Sequence, residues 1–163
     1  MVEVPLDGLR VLVRTGTQPG DLIFTTPNVV SERFLGILRE CNATGFDVFP
    51  VPLIKDGEQV ALYYGLRVYG RGGEFDRVRS DADIGETGAI HGSAAVYMNE
   101  ADWDGSDVFF IPGLGVELYV TERVALALKK AKLVNVQITL NSECRTGTRI
   151  DYSSLREGAK REK

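Results

Sequence analysis

The sequence has few of the residues that build metal sites and thiol chemistry. Among its 163 residues are one histidine and two cysteines, Cys41 and Cys144, which lie far apart and outside any CxxC motif. A structural zinc site needs about four Cys or His ligands, so this class of site is excluded. In a reducing compartment we expect both cysteines to remain thiols, and a disulfide would form only if the fold brought them together.

Long apolar runs are also missing. No stretch approaches the ~18 consecutive apolar residues that indicate a membrane span. The first ten residues, MVEVPLDGLR, lack the basic and then apolar pattern of a secretory signal. We therefore expect a cytoplasmic protein with no membrane partner.

Basic residues are not collected in any one part of the chain. The formal net charge is −4, and the arginines between residues 67 and 79 alternate with acidic residues. Nucleic-acid binding requires a basic face that displaces counterions, so we do not expect a nucleic-acid partner. A mildly acidic protein is better suited to a basic protein partner.

Two similar pentapeptides, VVSER at residues 29–33 and YVTER at residues 119–123, mark two helix starts. Ser31 and Thr121 are good N-caps, and a glutamate follows each of them in the first turn, where the helix dipole favours it. Apolar residues then recur at helical spacing, which predicts two amphipathic helices. The offset of 90 residues is compatible with an internal strand–helix–strand repeat, although any capped strand–helix unit would share this pattern.

The remaining pattern predicts one α+β domain over residues 1–152 and a polar tail, frayed or disordered, at 153–163. We expect a mixed or mostly antiparallel sheet of about six to eight short strands. Two prolines in residues 46–54 predict an edge strand, and Asp56-Gly57 predicts a hairpin turn. Residues 71–92 are predicted to form a loop, whereas residues 93–99 and 134–140 are predicted strands.

The stretch EADWDGSD at residues 100–107 combines acidic side chains with the only tryptophan. It does not have the ligand spacing of an EF-hand calcium loop. Carboxylates around a tryptophan are typical of a protein interface, and a solvated loop is the alternative. The candidate partner-binding residues are Glu100, Asp102, Trp103, Asp104 and Asp107.

Arg33 and Arg123 occupy the first turn of the predicted helices, where the helix dipole slightly disfavours a positive charge. An arginine in this position twice indicates a tertiary partner, either a carboxylate or a backbone carbonyl. We therefore predict that both arginines are structural clamps.

The sequence assigns no catalytic, cofactor-binding or metal-binding residue. His91 has no nucleophile motif near it, and GRGGEF at residues 70–75 lacks the spacing of both common phosphate-binding loops. The chain is therefore not expected to be an enzyme.

Three stretches occur in an order that resembles a known family. They are VVSERFLGILRECNATGFDVFPVPL, YYGLRVYGRGGEFDRVRSD and WDGSDVFFIPGLGVELYVTERVALALKKAKLVNVQITL. Together they resemble a bacterial family of predicted immunity proteins of polymorphic toxin systems, long catalogued as a domain of unknown function. The last stretch also resembles the carboxyl end of the myxobacterial double-CXXCG paralogues, although the CXXCG pairs are absent here.

This resemblance covers roughly residues 20–141. It implies a non-catalytic protein that binds and neutralises a cognate toxin encoded by an adjacent gene. The alternatives are an enzyme of unknown class and a small-ligand sensor or scaffold. A pocket of several hundred cubic ångströms with convergent polar groups would favour these alternatives, whereas a broad acidic face would favour toxin binding.

Overall fold

The computed structural model describes residues 10–12, 19–114 and 117–146, and the predicted tail at 153–163 lies outside them. The strands are β1 (Val11–Leu12), β2 (Leu22–Ile23), β3 (Asn28–Val30), β4 (Phe46–Lys55), β5 (Glu58–Val68), β6 (Ala82–Ile84), β7 (Ile90–Ser93), β8 (Val108–Phe109) and β9 (Tyr119–Val120). The helices are α1 (Glu32–Glu40) and α2 (Glu122–Lys130). The predicted α+β class with two amphipathic helices is confirmed. The nine strands in these ranges belong to three sheets, of which the largest has five strands, so they do not form the one predicted sheet of about six to eight.

The described residues divide into two compact units. The first unit contains the residues up to Glu74 together with Asn99–Ile138, and the second contains Phe75–Met98 together with the residues from Thr139 onward. Each unit is therefore assembled from two separate stretches of chain. The prediction of a single domain over residues 1–152 stays a prediction.

The first unit is built on a five-stranded sheet with the strand order β1-β4-β5-β3-β2. Only β1 and β4 pair in parallel, and the other neighbours are antiparallel. β4 and β5 form the predicted hairpin, whose turn residues Asp56 and Gly57 have φ values of 51° and 87°. A two-residue turn with both φ values positive matches the twist of the strands that it joins. β8 and β9 form a separate antiparallel pair.

β4 was predicted to be an edge strand, and this prediction is wrong for the carboxyl-terminal part of β4. There Leu53 and Ile54 pair with β1, so β4 lies between two neighbours. Pro50 and Pro52 precede this stretch and pair only with β5 among the described strands. The prolines therefore limit the pairing of the first part of β4 but do not exclude a second neighbour farther along.

Both helices contribute to one apolar core in the first unit. The buried members of this core are Leu22, Val30, Phe34, Leu35, Leu38, Leu66, Val108, Val124 and Leu128. They include residues of α1, of α2 and of both strand pairs that precede the helices. A second buried cluster, Val29, Val51, Leu53 and Tyr63, lies among strands β3 to β5. The predicted apolar stripes of the helices thus face the core.

The second unit contains a hairpin that the sequence did not predict. β6 and β7 are antiparallel neighbours, so the loop predicted at residues 71–92 is wrong where these two strands lie. Residues 72–81 and 85–89 contain no helix or strand, as predicted. The strand predicted at residues 93–99 is also wrong, since β7 ends at Ser93. None of the helices in the described ranges is both long and apolar enough to cross a membrane.

Candidate functional site

Two buried aspartates lie at equivalent places in the first unit. Asp21 directly precedes β2, and Asp107 directly precedes β8. Each accepts a hydrogen bond from the hydroxyl that begins the next helix: Ser31 Oγ is 2.6 Å from Asp21 Oδ1, and Thr121 Oγ1 is 2.8 Å from Asp107 Oδ1. The predicted N-caps therefore connect each helix start to a buried carboxylate.

Each aspartate also binds the segment that follows the opposite helix. The amide of Val134, after α2, donates to Asp21 Oδ2 at 2.7 Å. The amide of Thr44, after α1, donates to Asp107 Oδ2 at 3.1 Å. Each aspartate therefore accepts hydrogen bonds both from the start of the helix that follows it and from the segment after the other helix.

The two arginines follow the same exchange. Arg123 Nη2 lies 2.5 Å from Asp107 Oδ2, and Arg123 Nη1 donates to the carbonyl of Cys41, the C-cap of α1. Arg33 Nη1 lies 3.8 Å from Asp21, and Arg33 Nη2 donates to the carbonyl of Ala131, the C-cap of α2. Each guanidinium therefore places positive charge at the negative end of the opposite helix. A carboxylate and a backbone carbonyl are the two partner types expected for a structural clamp.

We call these two sets of contacts clasp 1 and clasp 2. Clasp 1 consists of Asp21, Ser31 and Arg33 with the carboxyl end of α2, and clasp 2 consists of Asp107, Thr121 and Arg123 with the carboxyl end of α1. The backbone repeats too, since Asn42 and Lys132, 90 residues apart, have φ values of 48° and 50°. The half of the unit that contains β2, β3 and α1 and the half that contains β8, β9 and α2 thus form a structural repeat. The slight sequence identity of the two halves did not decide whether such a repeat exists.

Hydrogen bonds hold the pKa of Asp107 below its usual value. Burial of the carboxyl raises this pKa, but the bonds donated by Thr121, Thr44 and Arg123, together with the Arg123 charge, outweigh burial. A group whose pKa is lower in the folded state stabilises the fold at a pH above its unfolded pKa of about 3.9. That contribution is lost as the pH falls through the folded pKa.

We therefore expect the destabilising effect of Asp107→Asn to depend on pH. Asparagine cannot ionise, so this variant lacks the stabilisation that the wild-type carboxylate provides above its folded pKa. Unfolding in urea should show a large difference in free energy between the two proteins at about pH 7 and a smaller one at about pH 3. A difference that is the same at both pH values would contradict an ionised clasp.

The acidic loop, defined as residues Glu100–Asp104, carries four of the five candidate partner-binding residues. Glu100, Asp102 and Asp104 are exposed, and Trp103 is half-buried. The indole Nε1 of Trp103 donates to the carbonyl of Ser106 at 3.1 Å, and its ring packs 5.8 Å from that of Phe109. The loop therefore presents carboxylates around an aromatic side chain that is held in place.

Asp107, the fifth candidate, does not belong to this surface. The residue is 6% exposed, and its carboxylate is bound within clasp 2. Its position in an acidic stretch suggested an exposed side chain. Asp107 instead directly precedes β8 and is buried. The partner-binding prediction for Asp107 is therefore corrected.

An open cleft of about 470 Å³ adjoins the acidic loop. Its lining residues are Val68, Tyr69, Gly70, Arg71, Phe110, Ile111, Pro112 and Leu114. The loop and the cleft meet at Arg71, whose amide donates to Asp104 Oδ2 at 2.8 Å and whose carbonyl accepts from the Asp104 amide at 3.1 Å. Sequence reasoning missed the cleft, because its two walls are about 40 residues apart.

The histidine and the two cysteines were the remaining candidates for catalysis or metal binding. His91 is exposed on β7 in the second unit. Neither Cys41 nor Cys144 forms a disulfide. Within the described ranges, no group of three or more His, Cys, Asp or Glu side chains is arranged to hold a metal ion.

A comparison of the chain with models of known protein families, and a search for similar curated proteins, found no match.

Proposed function

We propose that this protein is a cytoplasmic immunity protein that binds and neutralises a cognate bacterial toxin without catalysis. The toxin is a protein encoded by an adjacent gene, and binding occludes its active surface. Two lines of reasoning support this proposal: the resemblance of roughly residues 20–141 to the immunity family, and the character of the surface around the acidic loop.

The observation that carries the proposal is the acidic loop beside the cleft. Tryptophan and tyrosine are enriched among the residues that dominate binding energy, and Trp103 and Tyr69 both lie here. The Trp103 ring is already ordered by Ser106 and Phe109, so binding requires little further loss of side-chain freedom. The exposed carboxylates would steer a basic partner and speed its association.

The test is co-expression with the product of the adjacent reading frame, followed by size-exclusion chromatography and a count of viable cells. The wild-type chain should co-elute with that product and restore growth. The double variant Glu100→Lys and Asp102→Lys should weaken the complex by about 10- to 100-fold, mainly through a slower association rate. The effect should shrink at high salt, since exposed charges are screened.

The matched control is the double variant Glu40→Lys and Glu58→Lys. It makes the same change in net charge at two exposed acids of the first unit that lie outside the acidic loop. We expect this control to bind and protect like the wild type. Equal losses in both double variants would assign the effect to net charge and would reject the acidic loop as the binding surface.

Small-ligand binding is a second candidate function, and the cleft favours it. A volume of about 470 Å³ lies within the range of about 300–1,000 Å³ that is typical of ligand sites. Most of its lining is apolar, and Arg71 is its one charged residue. Such a lining offers few of the convergent polar groups that fix the orientation of a small ligand.

A further inference from the structure

The cleft is shaped in advance by backbone contacts. The amide of Gly72 donates to the carbonyl of Phe110 at 2.8 Å, and the amide of Phe110 donates to the carbonyl of Gly70 at 3.1 Å. A side chain at Gly70 would overlap the carbonyl oxygen of Val108, so this part of the wall requires glycine. A partner would therefore meet a preformed site, which lowers the entropic cost of binding.

The cleft has an apolar lining and an acidic surround. Tyr69, on its lining, is 59% exposed and therefore accessible to a partner, and tyrosine is enriched at protein interfaces. Glu74 lies beside the acidic loop, since its carbonyl accepts from the amide of Asn99 at 2.8 Å. Glu74 and the acidic loop carry four carboxylates, and Arg71 carries the one guanidinium of the cleft lining. The formal charge of these five side chains is −3, and Asp104 brings the acidic loop against the cleft at Arg71.

We propose that the cleft binds one apolar or aromatic side chain from a basic segment of the partner protein. Lysine and arginine residues on either side of this anchor face the carboxylates of the acidic loop. Charge complementarity selects a basic segment, because an acidic one would be repelled from the surface that surrounds the cleft. This inference rests on the proposed function, in which the partner is a protein.

The first test is an NMR titration of the whole chain with three synthetic peptides. The first peptide is a phenylalanine flanked by two lysines and two arginines, the second replaces the phenylalanine with alanine, and the third replaces the basic residues with glutamates. The first peptide should shift the amide signals of residues 68–71, 110–111 and 113–114. The alanine peptide should bind about tenfold more weakly, and the acidic peptide should not bind.

Three outcomes would overturn this proposal. Equal affinity for the phenylalanine and alanine peptides would mean that no anchor enters the cleft. Free indole that shifts the same amides as strongly as the peptide would identify a small-ligand site. Shifts of the same amides when the protein alone is concentrated would identify a second copy of the chain as the occupant.

The second test compares Tyr69→Ala with Phe24→Ala. Both residues are exposed aromatics of the first unit, with exposed fractions of 59% and 68%, but only Tyr69 lines the cleft. Tyr69→Ala should weaken the phenylalanine peptide about tenfold and leave the alanine peptide unchanged. Phe24→Ala should change neither, and equal effects of the two variants would reject the cleft.

Failure of this inference is distinguishable from failure of the proposed function. If Tyr69→Ala still forms the complex with the adjacent product and restores growth like the wild type, the cleft has no role and the immunity function stands. If the peptide binds as expected but the wild-type chain neither forms that complex nor relieves toxicity, the cleft stands and the immunity function fails.

Discussion

Asp107→Ala is expected to lower the free energy of unfolding by about 3 kcal/mol. Its carboxylate accepts bonds from Thr44, Thr121 and Arg123, and its removal leaves these donors without their buried acceptor. An unsatisfied buried donor costs about 1–3 kcal/mol. The Arg123 side chain is 52% exposed, so solvent screening reduces the contribution of its ion pair with Asp107. Unfolding in urea should show a midpoint lowered by about 1–2 M with little change in slope.

Asp47→Ala is the matched control for this prediction. The Asp47–Arg67 pair is 2.6 Å long and the Asp107–Arg123 pair 2.5 Å, so length does not separate them. The Asp47 side chain is 53% exposed and that of Asp107 is 9% exposed. A surface ion pair contributes about 0–1 kcal/mol, so Asp47→Ala should have little effect. Similar losses in the two variants would contradict the central role of clasp 2.

Gly45→Ala is expected to destabilise the fold by about 3 kcal/mol or more. Gly45 follows α1 with a φ of 95°, where a residue with a side chain is strained. The new methyl group would also overlap the carbonyl oxygen of Val108, on the strand that clasp 2 anchors. The backbone cannot shift freely there, because the Gly45 carbonyl accepts from Tyr69 and Gly70 at 2.9 Å. Thermal unfolding of the purified variant would measure the loss.

Gly57→Ala separates the two causes of this loss. Gly57 has a φ of 87°, but a methyl group there would meet nothing within 4 Å. This control therefore reports the cost of the backbone conformation alone, about 1–2 kcal/mol. The additional free energy lost in Gly45→Ala, compared with Gly57→Ala, measures the cost of placing a methyl group where the segment after α1 contacts β8. If Gly57→Ala is as damaging as Gly45→Ala, the close approach contributes nothing.

The local features of this fold could be predicted from the sequence. Ser31 and Thr121 occupy the predicted N-cap positions, and the Ser31 hydroxyl accepts from the amide of Phe34 as an N-cap does. The Thr121 side chain makes no such capping bond and instead donates to Asp107, which the sequence did not predict. The Asp56-Gly57 turn was identified because it depends on two adjacent φ preferences. These predictions succeeded since the physical cause and its effect lie within one turn of the chain.

The partners of the buried aspartates could not be predicted in this way. Asp107 binds Thr44 across 63 positions, and Asp21 binds Val134 across 113. A weak signal was present, because each aspartate directly precedes a short apolar strand that leads to the Ser/Thr-Glu-Arg motif. The spacing to the cap hydroxyl differs, however, with 10 positions in one half and 14 in the other. A search at one constant offset therefore misaligns the two aspartates.

The predicted strand at residues 134–140 failed for a different reason. Val136 and Ile138 pack against the core, and Gln137 and Thr139 are exposed, so the alternation is present in the middle of the segment. Val134 and Leu140, at its two ends, are exposed. The segment has no ladder partner among the described residues. Alternation shows which side of an extended chain faces the core, but it does not show whether a neighbouring strand exists.

The exchange of partners between the two clasps gives the first unit an internal pseudo-two-fold symmetry. Clasp 1 joins the start of α1 to the end of α2, and clasp 2 joins the start of α2 to the end of α1. A reciprocal pair of contacts of this kind has the form of an isologous interface. Such an interface normally joins two identical subunits across a two-fold axis. The contacts between the two helices of the first unit therefore have, within one chain, the reciprocal form of a symmetric dimer interface. The acidic loop and one wall of the cleft break this symmetry, because they belong only to the half that contains α2.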